Sequence, residues 1–377
     1  MTLTENVSAI LHEKPYDYMP VVSFGFWNET LQKWAEEGHI TNEEAQGYAQ
    51  YGDNSPSDQS VMKKLGFDFN WNSCFVTNCG LSPTFEPQVL ERRADQSYVM
   101  RDEQGLIVLQ KDGIVSIPAE IGTTLTDRDV WEKEYLPKLQ WNKNRVDFDA
   151  LNRIKTQERT IPVGIHCGSL AGYMRNLLGF EQFCYLQADD EDLFAEIADT
   201  IAELCYQNTK TALESGVQFD YAHFWEDICF KNGPMISPDE FDQYFGRHYK
   251  RITDLLSEYG IDIVSVDCDG LIDALVPVWL KNGVNTMFPI EVGTWNASIA
   301  SWRAQYGNRI KGVGGMNKTV FAKDFEAVDR EIERLIPLIK AGGYIPCPDH
   351  RIAPDAKFEN VQYYCSKLRE ACLKETK

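Results

Sequence analysis

Positive charge is scarce in this 377-residue chain: 37 lysines and arginines stand against 57 acidic residues, a formal net charge of −20. Nucleic acids and anionic membrane surfaces need a basic footprint, so this balance argues against both as partners. No apolar run is long enough to span a bilayer, and the first residues carry no secretion-signal pattern. The ten cysteines contain no CxxC pair and no zinc-finger spacing. They read as reduced thiols of a cytoplasmic protein, not as a disulfide framework. No GxGxxG follows the first predicted strand, and neither GxxxxGKS nor GxxxxGKT occurs, which removes the usual signatures of a nucleotide-binding sheet.

What is present is an apolar fraction of 43%, ample for a large core, arranged in a regular rhythm. Strand-like runs at 160–165, 219–224, 261–266, 284–289, 310–313 and 344–346 alternate with helical patterns, the clearest at 190–214, 238–259 and 325–340. Ser237 is a natural N-cap there, with Pro238 at the first helical position and Glu240 three residues on. Two earlier strands, at 19–25 and 67–75, bring the count to eight. Alternating strands and helices call for parallel βαβ units. The pattern predicts an α/β protein, a single (β/α)8 TIM barrel over 1–377. It has an N-terminal extension and an inserted hairpin over 97–110.

Such barrels carry chemistry at the carboxyl ends of their strands, and those ends are polar here. They read His166-Cys167-Gly168-Ser169, Trp225-Glu226-Asp227, Asp267-Cys268-Asp269-Gly270, Glu291, and Cys347-Pro348-Asp349-His350-Arg351. Residues two apart on a strand share a face, so Asp267 and Asp269 point together if the strand persists. Adjacent buried carboxylates require a metal ion, a shared proton or a cationic side chain between them. Plainer roles stay open. Asp269-Gly270 suits a turn capping a helix from Leu271, His166 a core histidine, Glu226 and Asp227 acceptors for backbone amides, and Glu291 a cap. Cys347, beside proline, reads as packing. His350 stands out, because packing gives no reason for an imidazole in its loop.

Together these segments resemble the uroporphyrinogen decarboxylase superfamily, which includes cobalamin-dependent methyltransferases. The resemblance runs from about 160 to 370 and is loose over 1–159. It is carried by Gly168–Met174, Gly233–Phe241, Asp267–Gly270, Pro289–Glu291, Gly314–Lys318, and Gly342–Pro346 through Asp349-His350 to Glu359-Asn360. It implies a (β/α)8 barrel. Tyr173 and His350 fall where the decarboxylase has active-site residues. Its arginine-rich segment after the first strand is missing, however: residues 22–30 hold no arginine, and the first in the chain is Arg92. A polycarboxylate tetrapyrrole is therefore a poor substrate.

The methyltransferase branch carries a zinc site of a His-x-Cys pair and a distant cysteine. By position these map onto Asp267, Asp269 and His350, a harder donor set suited to zinc first, or to iron or manganese. The resemblance then implies metal-assisted methyl transfer between a small methoxy or methylamine compound and a corrinoid protein. That partner must bring the cobalamin, because no Asp-x-His-x-x-Gly occurs in this chain. Glu226 or Asp227 would be the general acid, with Tyr173 and His166 as further catalytic candidates and Trp27 and Glu291 as substrate contacts. A homodimer is expected from the relatives. The competing expectation is a decarboxylase or lyase acting on a small organic acid or tetrapyrrole, with Asp267, Asp269 and His350 as an acid–base cluster. A barrel that only binds a ligand is the third.

Overall fold

Short apolar runs closed by glycine, proline or aspartate become the strands, as their composition dictates. The computed structural model describes residues 1–111 and 118–375. Seven parallel strands form one sheet in the order Tyr344–Pro348, Lys311–Met316, Thr286–Phe288, Val264–Asp267, Tyr221–Trp225, Gly164–His166 and Cys74–Phe75. Helices return the chain between them, among them Glu191–Glu214, Arg247–Glu258 and Phe325–Lys340. The eighth strand, Val22–Ser23, pairs in parallel with Phe69–Asn70, and its continuation bridges Phe26 to Ile352. Val22–Ser23 thus stands between the two ends of the sheet. This is the arrangement of a (β/α)8 barrel.

The capping box at Ser237–Glu240 is formed, although a π-helical turn at Asp242–Gly246 interrupts the long helix that it opens. The helix expected from Leu271 begins only at Val276. The intervening loop is held away, with the Leu271 N–H on the Phe230 carbonyl at 2.8 Å. An unforeseen helix spans Pro56–Leu65, where Ser55 caps the Asp58 N–H and Pro56 takes the first position. The segment 52–56 breaks one helix and starts the next.

The predicted hairpin is real but belongs to a four-stranded antiparallel sheet, Gln88–Arg92, Ser97–Arg101, Leu106–Lys111 and Ala119–Thr123. That sheet grips the helix Ala171–Asp189: Thr123 Oγ1 donates to the Leu177 carbonyl at 2.8 Å, and Arg175 pairs with Glu120 at 3.2 Å. Toward the amino ends of the strands, fully buried Trp71 stacks on Tyr221 with ring centroids 4.4 Å apart, and its Nε1–H donates to Ser265 Oγ at 3.3 Å. Such a pair adds about 0.5–1.5 kcal/mol beyond its buried area. It closes the interior beneath the site. No described helix is long and apolar enough to cross a membrane.

Candidate active and metal site

Strand alternation carries Ser265, Asp267 and, just past the strand, Asp269 to one face. In register, Asp267 lies beside Trp225 on the neighbouring strand, and Asp227 follows two residues later. One carboxylate oxygen from each of Asp227, Asp267 and Asp269 lies within 4.8 Å of the others. Asp227 adopts φ +43°, a left-handed conformation that costs an L-residue roughly 1–2 kcal/mol. Its Oδ1 accepts the Asp269 N–H at 3.0 Å, tying the two strand ends together. Burial, and then repulsion from Asp269, push Asp227 up to about 6. Burial followed by the Asp227 and Asp269 charges raises Asp267 well above the carboxylate range.

His350 stands behind Asp269, its Nε2 3.1 Å from Oδ2. The imidazole stacks on Trp27 with centroids 5.6 Å apart and meets Phe24 edge-on. Asp269 Oδ1 and His350 Nδ1 are buried with no hydrogen-bond partner, a costly condition unless something is to occupy the site. The aspartates open into a cavity of about 460 Å³, walled by Phe24, Trp27 and Trp225, with His166 and His223 also lining it. Its one lining cation among the described residues is Arg351. That guanidinium is forked onto Asp53 at 3.0 and 2.6 Å and touches the Tyr48 hydroxyl at 2.8 Å. Burial alone would raise Asp53; Arg351 overrides it and holds the carboxyl below its usual range.

The structure brings six of the sequence-predicted residues to this cavity: Asp227, Asp267, Asp269, His350, His166 and Trp27. Three stand outside its lining. Glu226 is fully buried, accepting the N–H groups of Leu170 at 2.9 Å and Gly172 at 2.6 Å and the Tyr249 hydroxyl. Burial pushes it up to about 7 against those three donors. Its visible work is to hold the start of the helix Ala171–Asp189. The Tyr173 hydroxyl accepts the Leu81 N–H at 2.7 Å and donates to Gln104 at 3.0 Å, fastening the inserted sheet. Glu291 accepts the Gly270 N–H at 2.6 Å and the Thr294 hydroxyl at 2.8 Å, bracing the turn after Asp269. Cys268 points away, its thiol donating to the Asp269 carbonyl at 3.5 Å, and Cys347 is buried.

Sequence reasoning passed over His223, Trp225, Asp53 and Asn72 as lining residues. The signal for the first two was strand parity: His223, Trp225 and Asp227 share a face just as Asp267 and Asp269 do.

Residues 116–371 match the sequence profile of the uroporphyrinogen decarboxylase (URO-D) family. The chain belongs to that family. No curated protein matches it. Among solved structures, a methyltransferase from Methanosarcina mazei is similar at 14% identity and a TM-score of 0.62, over 98% of this chain and 99% of that one. A B12-independent methionine synthase from a Shewanella species, in complex with selenomethionine, matches at 13% identity and a TM-score of 0.51, over 95% and 100% of the two chains. At such identities the likeness is one of fold.

The donor set is three carboxylates, with an imidazole that orients one of them and no thiolate in the cluster. It fits a hard or borderline divalent cation, with Asp269 Oδ1 left unpaired for it.

Proposed function

We propose that this chain is a metal-assisted methyltransferase that takes a methyl group from a small methoxy or methylamine compound to a corrinoid protein. The observation that carries the proposal is the convergence of Asp227, Asp267 and Asp269 within 4.8 Å at the strand ends, beside an unpaired Asp269 oxygen. Bound there, a divalent cation supplies Lewis acidity to the donor's oxygen or nitrogen. The chain's own groups do the rest. Asp227, Asp267 and Asp269 hold the cation, and His350, fixed by Trp27, orients Asp269 as an outer-shell partner. Phe24, Trp27 and Trp225 exclude water and hold the donor's apolar part. The corrinoid belongs to the partner, and the ten free thiols suit a reducing cytoplasm.

A decarboxylase or lyase is the second reading, favoured by the raised Asp227 and Asp267: without a cation the carboxylates share protons and serve as an acid–base cluster. A polycarboxylate tetrapyrrole is disfavoured in either case, because Arg351 is already committed to Asp53.

The test is elemental analysis of protein purified without added metal, for wild type, Asp267→Asn and His350→Ala. About one zinc, manganese or iron per chain is expected in wild type, none in Asp267→Asn and a reduced content in His350→Ala. Metal-free wild type that also fails to take up these ions on titration would overturn the metal-assisted reading and leave the lyase.

A further inference from the structure

Two histidines face each other in the cavity, and neither belongs to the aspartate cluster. His166, at the end of Gly164–His166, and His223, in the middle of Tyr221–Trp225, pair in register across adjacent strands with ring centroids 5.6 Å apart. Both line the cavity. In each ring the Nδ1 is already occupied and the Nε2 has no hydrogen-bond partner among the described residues, yet neither Nε2 is sealed from the cavity.

The Nδ1 partner fixes the tautomer of His166, and the contacts of Ser265 accommodate the opposite one in His223. His166 Nδ1 faces the Gly168 backbone N–H at 3.0 Å, which can only donate. His166 therefore accepts at Nδ1 and carries its proton on Nε2. His223 Nδ1 lies 2.7 Å from Ser265 Oγ. That hydroxyl receives the Trp71 Nε1–H at 3.3 Å and donates its own proton to the Ala222 carbonyl at 3.1 Å. With the hydroxyl proton on that carbonyl, His223 donates from Nδ1 to the remaining lone pair, which leaves His223 Nε2 as a bare acceptor. Buried rings with no carboxylate against them stay neutral. Burial takes His166 down to about 4, and burial and then its neighbour His166 take His223 well below the usual histidine value.

We infer that His166 and His223 form a donor–acceptor pair on the cavity wall that selects a methoxy substrate also bearing an un-ionised hydroxyl group. The hydroxyl oxygen accepts from His166 Nε2–H and its proton goes to His223 Nε2. Two neutral imidazoles offer no charge to a carboxylate, and an ammonium finds only one acceptor. A methoxy compound without the hydroxyl can still accept from His166 Nε2–H but offers His223 Nε2 no donor, and a site left with an unpaired polar group discriminates against the analogue. The inference narrows the proposed methyl-donor class and rests on that reading for the methoxy group alone.

The test has two arms, both on the full chain and neither needing turnover. Long-range proton–nitrogen NMR on histidine-labelled protein, assigned with His166→Ala and His223→Ala, reads the tautomers directly. The expectation is Nε2–H for His166 and Nδ1–H for His223, both neutral at pH 7. Identical tautomers, or an imidazolium at either position, would overturn the pair. Calorimetric titration then compares 2-methoxyphenol, 1,2-dimethoxybenzene and 2-methoxybenzoate as probes. At least tenfold tighter binding of 2-methoxyphenol is expected, narrowing to about threefold or less in His223→Ala. Equal binding of the first two, preference for the benzoate, or no binding of any probe would overturn the substrate class. The metal content of wild type tests the methyltransferase reading separately, so either reading can fail while the other stands.

Discussion

Asp267 is the residue on which structure and function pull in opposite directions. It is 7% exposed, at the end of a fully buried strand, with two further carboxylates beside it. A carboxyl whose folded-state pKa is raised binds its proton more tightly folded than unfolded. Its contribution to stability is complete below the unfolded value of about 4 and is lost as pH rises through the folded value. For Asp227 that loss is complete by about 6, and for Asp267 it extends in the same upward direction. Asp267→Asn removes one of the repelling charges. In metal-free protein it is therefore expected to stabilise by about 1–3 kcal/mol at pH 8 and by less at pH 5. Urea unfolding of wild type and variant at both pH values is the measurement. Destabilisation at pH 8, or an equal effect at the two values, would remove electrostatic repulsion as the dominant force at this site.

At the scale of elements, strand ends and turns set the geometry that the aspartates use. Gly270 sits at φ +85°, and a Cβ there would lie 2.4 Å from the Cys229 carbonyl oxygen, which belongs to backbone and cannot swing away. Its N–H is held by Glu291. Gly270→Ala should therefore cost about 2–4 kcal/mol and misplace Asp269. Denaturant unfolding together with metal content checks both halves, and a variant that keeps full stability and full metal would show that the turn is dispensable. Period-2 patterning made the strands and the Asp267/Asp269 face legible, because alternation is a local property of the chain. It also hid His223, since a histidine inside an apolar strand reads as core until the strand's inward face is known. The Asp53–Arg351 pair lay beyond sequence reasoning for another reason. Its members are 298 residues apart and meet only because Val22–Ser23 stands between the ends of the sheet. The four-stranded insertion was half visible: its central hairpin alternates, whereas its outer strand Gln88–Arg92 is exposed along its whole length and carries no burial pattern to read.

For the whole molecule, a net charge of −20 makes divalent cations ambiguous ligands, because an acidic surface gathers them loosely without any site. A built site differs in three ways. It binds only the folded state, so thermal unfolding must rise with cation concentration, by about 2.7 kcal/mol of stability at a hundred times the dissociation constant. Its ligands must be deprotonated, so the rise must be larger at pH 8 than at pH 5.5, on opposite sides of Asp227's value of about 6. Its charges are buried or partly buried, so the effect must survive salt that screens the surface within a few ångströms. Thermal melts with manganese or zinc in 0.1 M and 1 M sodium chloride, where the screening length falls from about 10 Å to about 3 Å, separate the two cases. A pH-dependent, salt-resistant stabilisation that vanishes in Asp267→Asn is expected. A shift that 1 M salt abolishes in wild type, or that Asp267→Asn retains, would assign the cations to the acidic surface and take the metal out of the proposed chemistry.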